Sequence, residues 1–237
     1  MIGIIGAMNI EVEALRAHME APETRVISGI EFTSGLLSGV PAVVSVCGIG
    51  KVLAGLTAEI MCLCYDPSLI INTGVAGSLS PKLHIGDILV SESAVQHDLD
   101  TTVLGDPAGY VQSLDLTFVP ADEKACKVML EAAGALGLSA IPGIVATGDQ
   151  FVSDQRVKNR LVRKFGATAC EMEGAAIAVA ARTNSVPFVI LRAISDGAND
   201  GAPLDFPSFA KLAAANSVRV LEYALPKLNR PDQRPGL

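Results

Sequence analysis

Apolar residues along this chain fall into two alternating rhythms. Short runs dense in Val and Ile, at residues 2–5, 41–46, 69–73, 87–94, 141–147 and 187–194, predict β-strands, several of them apolar on both faces as buried parallel strands are. Between them, segments 10–19, 51–65, 121–136, 154–165, 173–183 and 206–225 carry the spacing of helices. This alternation predicts an α/β fold around a mostly parallel sheet. Residues 26–46 break the rhythm. There, short strand-like runs separated by Gly29, Gly35 and Gly39-Val40-Pro41 predict antiparallel hairpins, so the sheet as a whole is expected to be mixed.

The punctuation is uneven. Asp154 is placed to cap the helix after it, Gly137 follows the last turn of another, and Pro226 is expected to stop the final one. No internal repeat or low-complexity linker divides the chain, so one domain is expected over residues 1–229, with a loose tail at 230–237. Residues 98–119, with Gly105, Pro107 and Gly109 and no clear period, form a longer connection than compact domains usually carry. Such loops tend to be functional, which places this one at a site edge.

Composition narrows the partner. Half of the 237 residues are hydrophobic but only 4% are aromatic, which excludes disorder and predicts a core filled by Ala, Val, Ile and Leu. Eighteen Lys and Arg against 25 Asp and Glu give a net charge of −7, which disfavours nucleic acid and anionic membrane and leaves a small molecule as the expected partner. The longest apolar candidate for a membrane span, 49–65, is interrupted by Lys51 and Glu59. The five cysteines are odd in number and form no Cys-x-x-Cys, so they are expected to be reduced, buried thiols. The opening residues lack a basic region and run into Glu11 and Glu13, so a cytoplasmic location is expected.

Two glycine motifs exclude more than they establish. Gly3-Ile-Ile-Gly6 lacks the spacing of a dinucleotide fingerprint, and Gly48-Ile-Gly-Lys51 lacks that of a phosphate-binding Walker loop. Asn72-Thr-Gly-Val-Ala-Gly-Ser78 follows a buried strand with small residues only, which reads either as room for a ligand against the backbone or as a turn that needs glycine.

Acidic residues in apolar surroundings are the stronger signal, because an ionised carboxylate there needs compensation. Glu11 follows the first strand, where from spacing alone it is an ordinary first-turn glutamate. Glu171-Met172-Glu173 abuts the nearly uncharged run 174–181; a helix start there would keep Glu173 ionised through its free amides. Arg192 and Asp196 end the strand from residue 187, either as a structural pair or as site residues at the carboxyl edge of the sheet. Desolvation at that edge would favour a protonated Asp196 able to donate.

Together, Gly6-Ala-Met-x-x-Glu11, Gly48-Ile-Gly-Lys51, Asn72-Thr-Gly-Val-Ala-Gly77, Gly148-Asp-Gln-Phe151, Glu171-Met-Glu173 and Arg192-Ala-Ile-Ser-Asp196 resemble the 5'-methylthioadenosine/S-adenosylhomocysteine nucleosidases in order and spacing. The resemblance spans residues 2 to about 225. It implies a three-layer α/β/α sandwich around a mixed sheet, a homodimer, and hydrolysis of the N-glycosidic bond of 5'-thio-substituted adenosines without metal or organic cofactor. By the same resemblance Asp196 assists protonation of adenine at N7, Glu11 activates water, Glu173 accepts the ribose hydroxyls, and Arg192 orients Glu11 and the water. Phe151 would stack on adenine and Val152 present backbone to its edge. Met172 would lie under the ribose, Met8, Ile49 and Phe206 would line the 5' pocket, and Ser195 and Val75 would complete the substrate contacts.

Two departures stand out. Val75 occupies a position where many relatives carry Ser, and 105–119 lacks the Pro-Gly-x-Pro pattern that closes a neighbour's 5' pocket in familiar members. The 5' preference is therefore open, and a futalosine-type nucleosidase is a competing reading. A purine nucleoside phosphorylase would need converging cations for phosphate, where this sequence places Glu11. A non-catalytic nucleoside-binding protein would have no need for all three acids.

Overall fold

The structure, a computed structural model, describes residues 1–197 and 206–229, with side chains in the last helix from residue 209 onward. Its strands are β1 (Ile2–Gly6), β2 (Glu20–Ile27), β3 (Ile30–Leu37), β4 (Val40–Val46), β5 (Leu69–Ser78), β6 (Ile88–Gln96), β7 (Val119–Pro120), β8 (Ala140–Thr147), β9 (Ala169–Glu171) and β10 (Phe188–Asp196). Its helices are α1 (Asn9–Ala17), α2 (Lys51–Tyr65), α3 (Glu123–Ala135), α4 (Gln155–Phe165), α5 (Gly174–Thr183) and α6 (Phe206–Leu228).

The sheet is mixed, as the hairpin signal requires. Strand β1 pairs in parallel with β4 and β5, while β4, β3 and β2 form an antiparallel run ending at a solvent-exposed edge. Strand β5 also pairs in parallel with β10 and, at its far end, antiparallel with β9. Because β10 pairs with β6, β6 with β8 and β8 with β9, this half of the sheet curls back and closes on itself.

Alternation along the strands divides the core into layers. On β1, Ile2 and Ile4 face one side, where Val12 and Leu15 of α1, Met129 of α3 and Leu221 of α6 pack. Ile5 faces the other side with Ala58 and Met61 of α2 and Ala178 of α5. A third cluster under α4 joins Leu161 and Phe165 to Val95, Ala146 and Val152.

Several boundaries differ from expectation. Strand β5 continues past Thr73 through Gly74 and Gly77 to Ser78, so that motif is strand and not turn. Pairing with β10 imposes the extension, and the two glycines remove side chains that would strike the site residues described below. Helix α6 does not stop at Pro226 but runs to Leu228. The missing N–H costs one bond in the last turn, where buried Leu225 and Leu228 hold the helix to the core. Asp154 caps α4 as expected, accepting from the Arg156 N–H at 2.7 Å. Residues 98–119 hold two single 3₁₀ turns, Thr102–Leu104 and Gln112–Leu114. The expectation for residues 230–237 lies outside the described residues, and no helix among the described residues is long and apolar enough to cross a membrane.

Candidate active site

The carboxyl ends of β1, β5, β9 and β10 meet at one cleft, the usual place for a ligand in an open α/β sheet. Glu11 reaches it from the first turn of α1. Its Oε2 accepts from the N–H groups of Ala7 (2.7 Å) and Met8 (2.9 Å), which is the first-turn role, but its Oε1 crosses to the Val75 N–H at 3.1 Å. Burial pushes the Glu11 carboxyl above its ordinary range, and Arg192 and these three N–H donors offset the push only in part. A Cβ on Gly74 would collide with both the Glu11 carboxylate and the Arg192 guanidinium, so the glycine makes their approach possible.

Arg192 is fully buried on β10. It donates from Nη2 to Asn72 Oδ1 at 2.6 Å, pairs through the same nitrogen with Glu171, and stands 3.5 Å from Glu173 Oε2. The structural pairing with Asp196 left open by the sequence is therefore not made. A register shift in the β10–β5 ladder between Ile194 and Asp196 re-aims Asp196 away from the Arg192 cluster.

The helix-start role expected of Glu173 falls to Glu171. The free amides at the start of α5 go to Glu171, whose Oε2 accepts from Glu173 N (3.0 Å) and Gly174 N (2.8 Å). Thr147 donates to Glu171 and accepts from Ala175 N at 2.8 Å, completing the cap. Glu173 receives one backbone bond, from Gly50 N at 2.9 Å, at a position where Gly50 has φ +101°. Burial, then the negative charge of Glu171, raises Glu173 to about 7, so the helix start does not hold it ionised as expected.

Asp196 lies at the other end of the cleft. Its Oδ1 accepts from the Ser195 hydroxyl at 3.0 Å, and its Oδ2 is 3.6 Å from the Lys158 ammonium. A Cβ on Gly77 would sit 2.8 Å from Oδ2, so this glycine too is needed for a close approach.

Met8, Ile49, Val75, Phe151, Val152 and Met172 supply the apolar walls of the same cleft, with Ser195 beside Asp196. Ile49 is 59% exposed and Phe151 57%, so the walls are open where the carboxylates are sealed. The side chain of Phe206 lies outside the described residues. A polar latch anchors the Phe151 loop: Asp98 accepts from Lys51 Nζ (2.6 Å) and Asp149 N (2.8 Å), and Asp149 Oδ1 accepts from Lys51 N (2.8 Å). The long loop 98–119 thus starts from the site edge.

Sequence reasoning gave Asn72, Thr147 and Lys158 no role and left Glu171 without one. Of these, Lys158 had a readable signal, since it shares the buried helix face of Leu161 and Phe165. Cys47 and Cys170, buried beside these acids, are both pushed up to about 12, chiefly by burial, which disfavours their thiolates.

Residues 1–226 match the Phosphorylase superfamily. A 5'-methylthioadenosine/S-adenosylhomocysteine nucleosidase of Shewanella halifaxensis is 41% identical over 229 residues, covering 96% of this chain and 99% of the relative. The chain belongs to this nucleosidase family. Family members are N-glycosidases. The Neisseria meningitidis nucleosidase in complex with methylthio-immucillin-A superposes with a TM-score of 0.91 at 32% identity, covering 95% of this chain and 98% of the other. A futalosine hydrolase of Helicobacter pylori superposes with a TM-score of 0.90 at 33% identity, covering 95% and 97%. The mixed α/β architecture is that of the nucleoside phosphorylases.

Proposed function

We propose that the protein hydrolyses the N-glycosidic bond of 5'-methylthioadenosine and S-adenosylhomocysteine, giving adenine and the 5-thioribose. The observation that carries this reading is the convergence of Glu11, Glu173 and Asp196 on one apolar-walled cleft. Asp196 gives its proton to adenine N7 while the electrons of the C1'–N9 bond leave with the base. Glu173 accepts the ribose hydroxyls and opposes the positive charge on the sugar. Water attacks C1' and passes a proton to Glu11, whose raised proton affinity suits a base. Arg192 orients Glu11 and the water, and Ser195 aligns Asp196. Phe151 stacks on adenine, Val152 presents backbone to its edge, and Met172 lies under the ribose. Met8, Ile49 and Phe206 form the 5' wall. With Val75 in place of a hydroxyl residue, the N–H at this position does the work of holding Glu11.

Phosphate as nucleophile is disfavoured by like charge, since this reading puts Glu11 where phosphate would sit. In structure the futalosine hydrolase superposes about as well as the Neisseria nucleosidase, with TM-scores of 0.90 and 0.91, so the 5' group is the part of the reading that needs measurement. Adenine release from 5'-methylthioadenosine, S-adenosylhomocysteine and aminodeoxyfutalosine, each with and without phosphate, tests it. Release from the two thio-substrates independent of phosphate is the expected result; release only with phosphate, or only from the futalosine, overturns it. The proposal includes a homodimer, because α2 leaves Val52, Leu53, Leu56 and Leu63 exposed on one segment. Sedimentation showing a monomer at micromolar concentration would reject that part.

A further inference from the structure

Helix α4 is strongly basic, and most of its charges face solvent as expected for a surface helix. Lys158 does not. It shares the inner face with Leu161 and Phe165, one and two turns further on, and is 2% exposed. An ammonium at an apolar position costs heavily in desolvation unless acceptors or anions compensate. Two groups do so. The Gly197 carbonyl accepts from Nζ at 2.8 Å, and Asp196 Oδ2 lies 3.6 Å from Nζ.

These two distances assign different tasks. At 2.8 Å the bond to Gly197 fixes the chain just beyond Asp196. At 3.6 Å the ammonium is too far to share a proton with Oδ2 but close enough for its field to act on the carboxylate. Oδ1 is taken by the Ser195 hydroxyl, and the Gly77 backbone packs against Oδ2 with no side chain between. Asp196 is thus held from behind and left open toward the cleft.

We propose that Lys158 is a positioning residue for the acid step: it fixes Asp196 toward the base and stabilises the carboxylate left when the proton passes to the leaving group. The inference rests on the reading of Asp196 as the acid. In that step the Asp196 O–H bond breaks, a bond from N7 to that proton forms, and the C1'–N9 electron pair leaves with adenine. The negative charge that remains on Asp196 faces the Lys158 ammonium. Solvent returns the proton after the product leaves.

Leaving-group chemistry separates this role from a structural one. 4-Nitrophenyl 5-methylthio-β-D-riboside contains the same sugar, but nitrophenolate departs without a proton. In Lys158→Met, kcat for 5'-methylthioadenosine should fall by roughly 10- to 100-fold, a share of the range open to general acid catalysis, with KM changed less than about threefold. The nitrophenyl riboside should lose less than about threefold, and Lys158→Arg should recover most of the lost kcat. Because the ratio of two substrates is taken in one preparation, it does not depend on how much of the variant folds. Equal losses on both substrates, or no loss on either, overturn the role of Lys158 alone. A parent protein that hydrolyses the nitrophenyl riboside but releases no adenine overturns the functional reading beneath it.

Discussion

At one end of the cleft, which the proposed function gives to the ribose, three carboxylates crowd around a single guanidinium; at the other, which it gives to the base, one carboxylate faces an ammonium. Glu11, Glu171 and Glu173 all act on Arg192, and this arrangement holds more negative charge than Arg192 neutralises. Burial raises Glu11, and burial with Glu171 raises Glu173, because the fold supplies too few donors to ionise all three freely. Asp196 instead has Lys158 at 3.6 Å and the Ser195 hydroxyl at 3.0 Å. The two stockings match the charges that glycosidic cleavage develops. On the proposed reading, the acidic end faces a cationic sugar, and the ammonium stands behind the acid that becomes an anion. One cleft holds both because its ends draw on different elements: the ends of β1, β5 and β9 around Arg192, and the shifted end of β10 with α4 around Asp196.

The largest effects should divide along this line. Asp196→Asn removes the proton donor, so hydrolysis of 5'-methylthioadenosine should fall by roughly 10²- to 10⁴-fold, while 4-nitrophenyl 5-methylthio-β-D-riboside is cleaved within about tenfold of the parent rate. Glu11→Gln removes the base that both substrates need, so both should fall by roughly 10²-fold or more. Steady-state kinetics on the two substrates reads the comparison directly. An Asp196→Asn variant that loses both equally, or a Glu11→Gln variant that keeps either, breaks the division of labour between the two ends.

The sequence reading reached the two ends unequally, for physical reasons. The helices and the longer buried strands announce themselves by period. β9, only Ala169–Glu171, is too short to show one, and the distal half of β5 is too poor in bulky residues. Glu171 and Glu173 look equivalent along the chain. Both line the cleft, and only the turn between β9 and α5 decides that Glu171 rather than Glu173 takes the helix amides. Lys158 is one cation among several in Gln155–Phe165; its place on the face of Leu161 and Phe165 marks it for burial, but its partners Asp196 and Gly197 lie far along the chain and leave no mark. Asp196 and the Glu171–Glu173 pair are legible because ionisable groups in apolar runs require a reason, whereas Glu11 reads as an ordinary first-turn glutamate until the motif resemblance is applied. Their partners, being backbone N–H groups and residues distant along the chain, leave no such mark.

The smallest effect is one of stability, and its sign follows from Glu173. A carboxyl raised from 4.5 to about 7 favours folding in its protonated form, so its contribution is complete below pH 4.5 and is lost as the pH rises through 7. Above that, the fold holds an ionised carboxylate beside Glu171 with only Arg192 and one backbone N–H to compensate. Glu173→Gln keeps an acceptor for the Gly50 N–H and removes the charge. A rise from 4.5 to about 7 is worth about 3 kcal/mol at pH 8, so its Tm should exceed the parent's by about 6–12 °C there, on the scale of roughly 2–4 °C per kcal/mol for a chain of this size. At pH 4, where the carboxyl is protonated in the folded chain and largely so in the unfolded one, the gap should shrink below about 1 °C. Thermal unfolding at the two pH values checks the difference. A gap of the same size at both would mean that the ribose end carries no surplus of negative charge, and the electrostatic contrast with Asp196 would lose its footing.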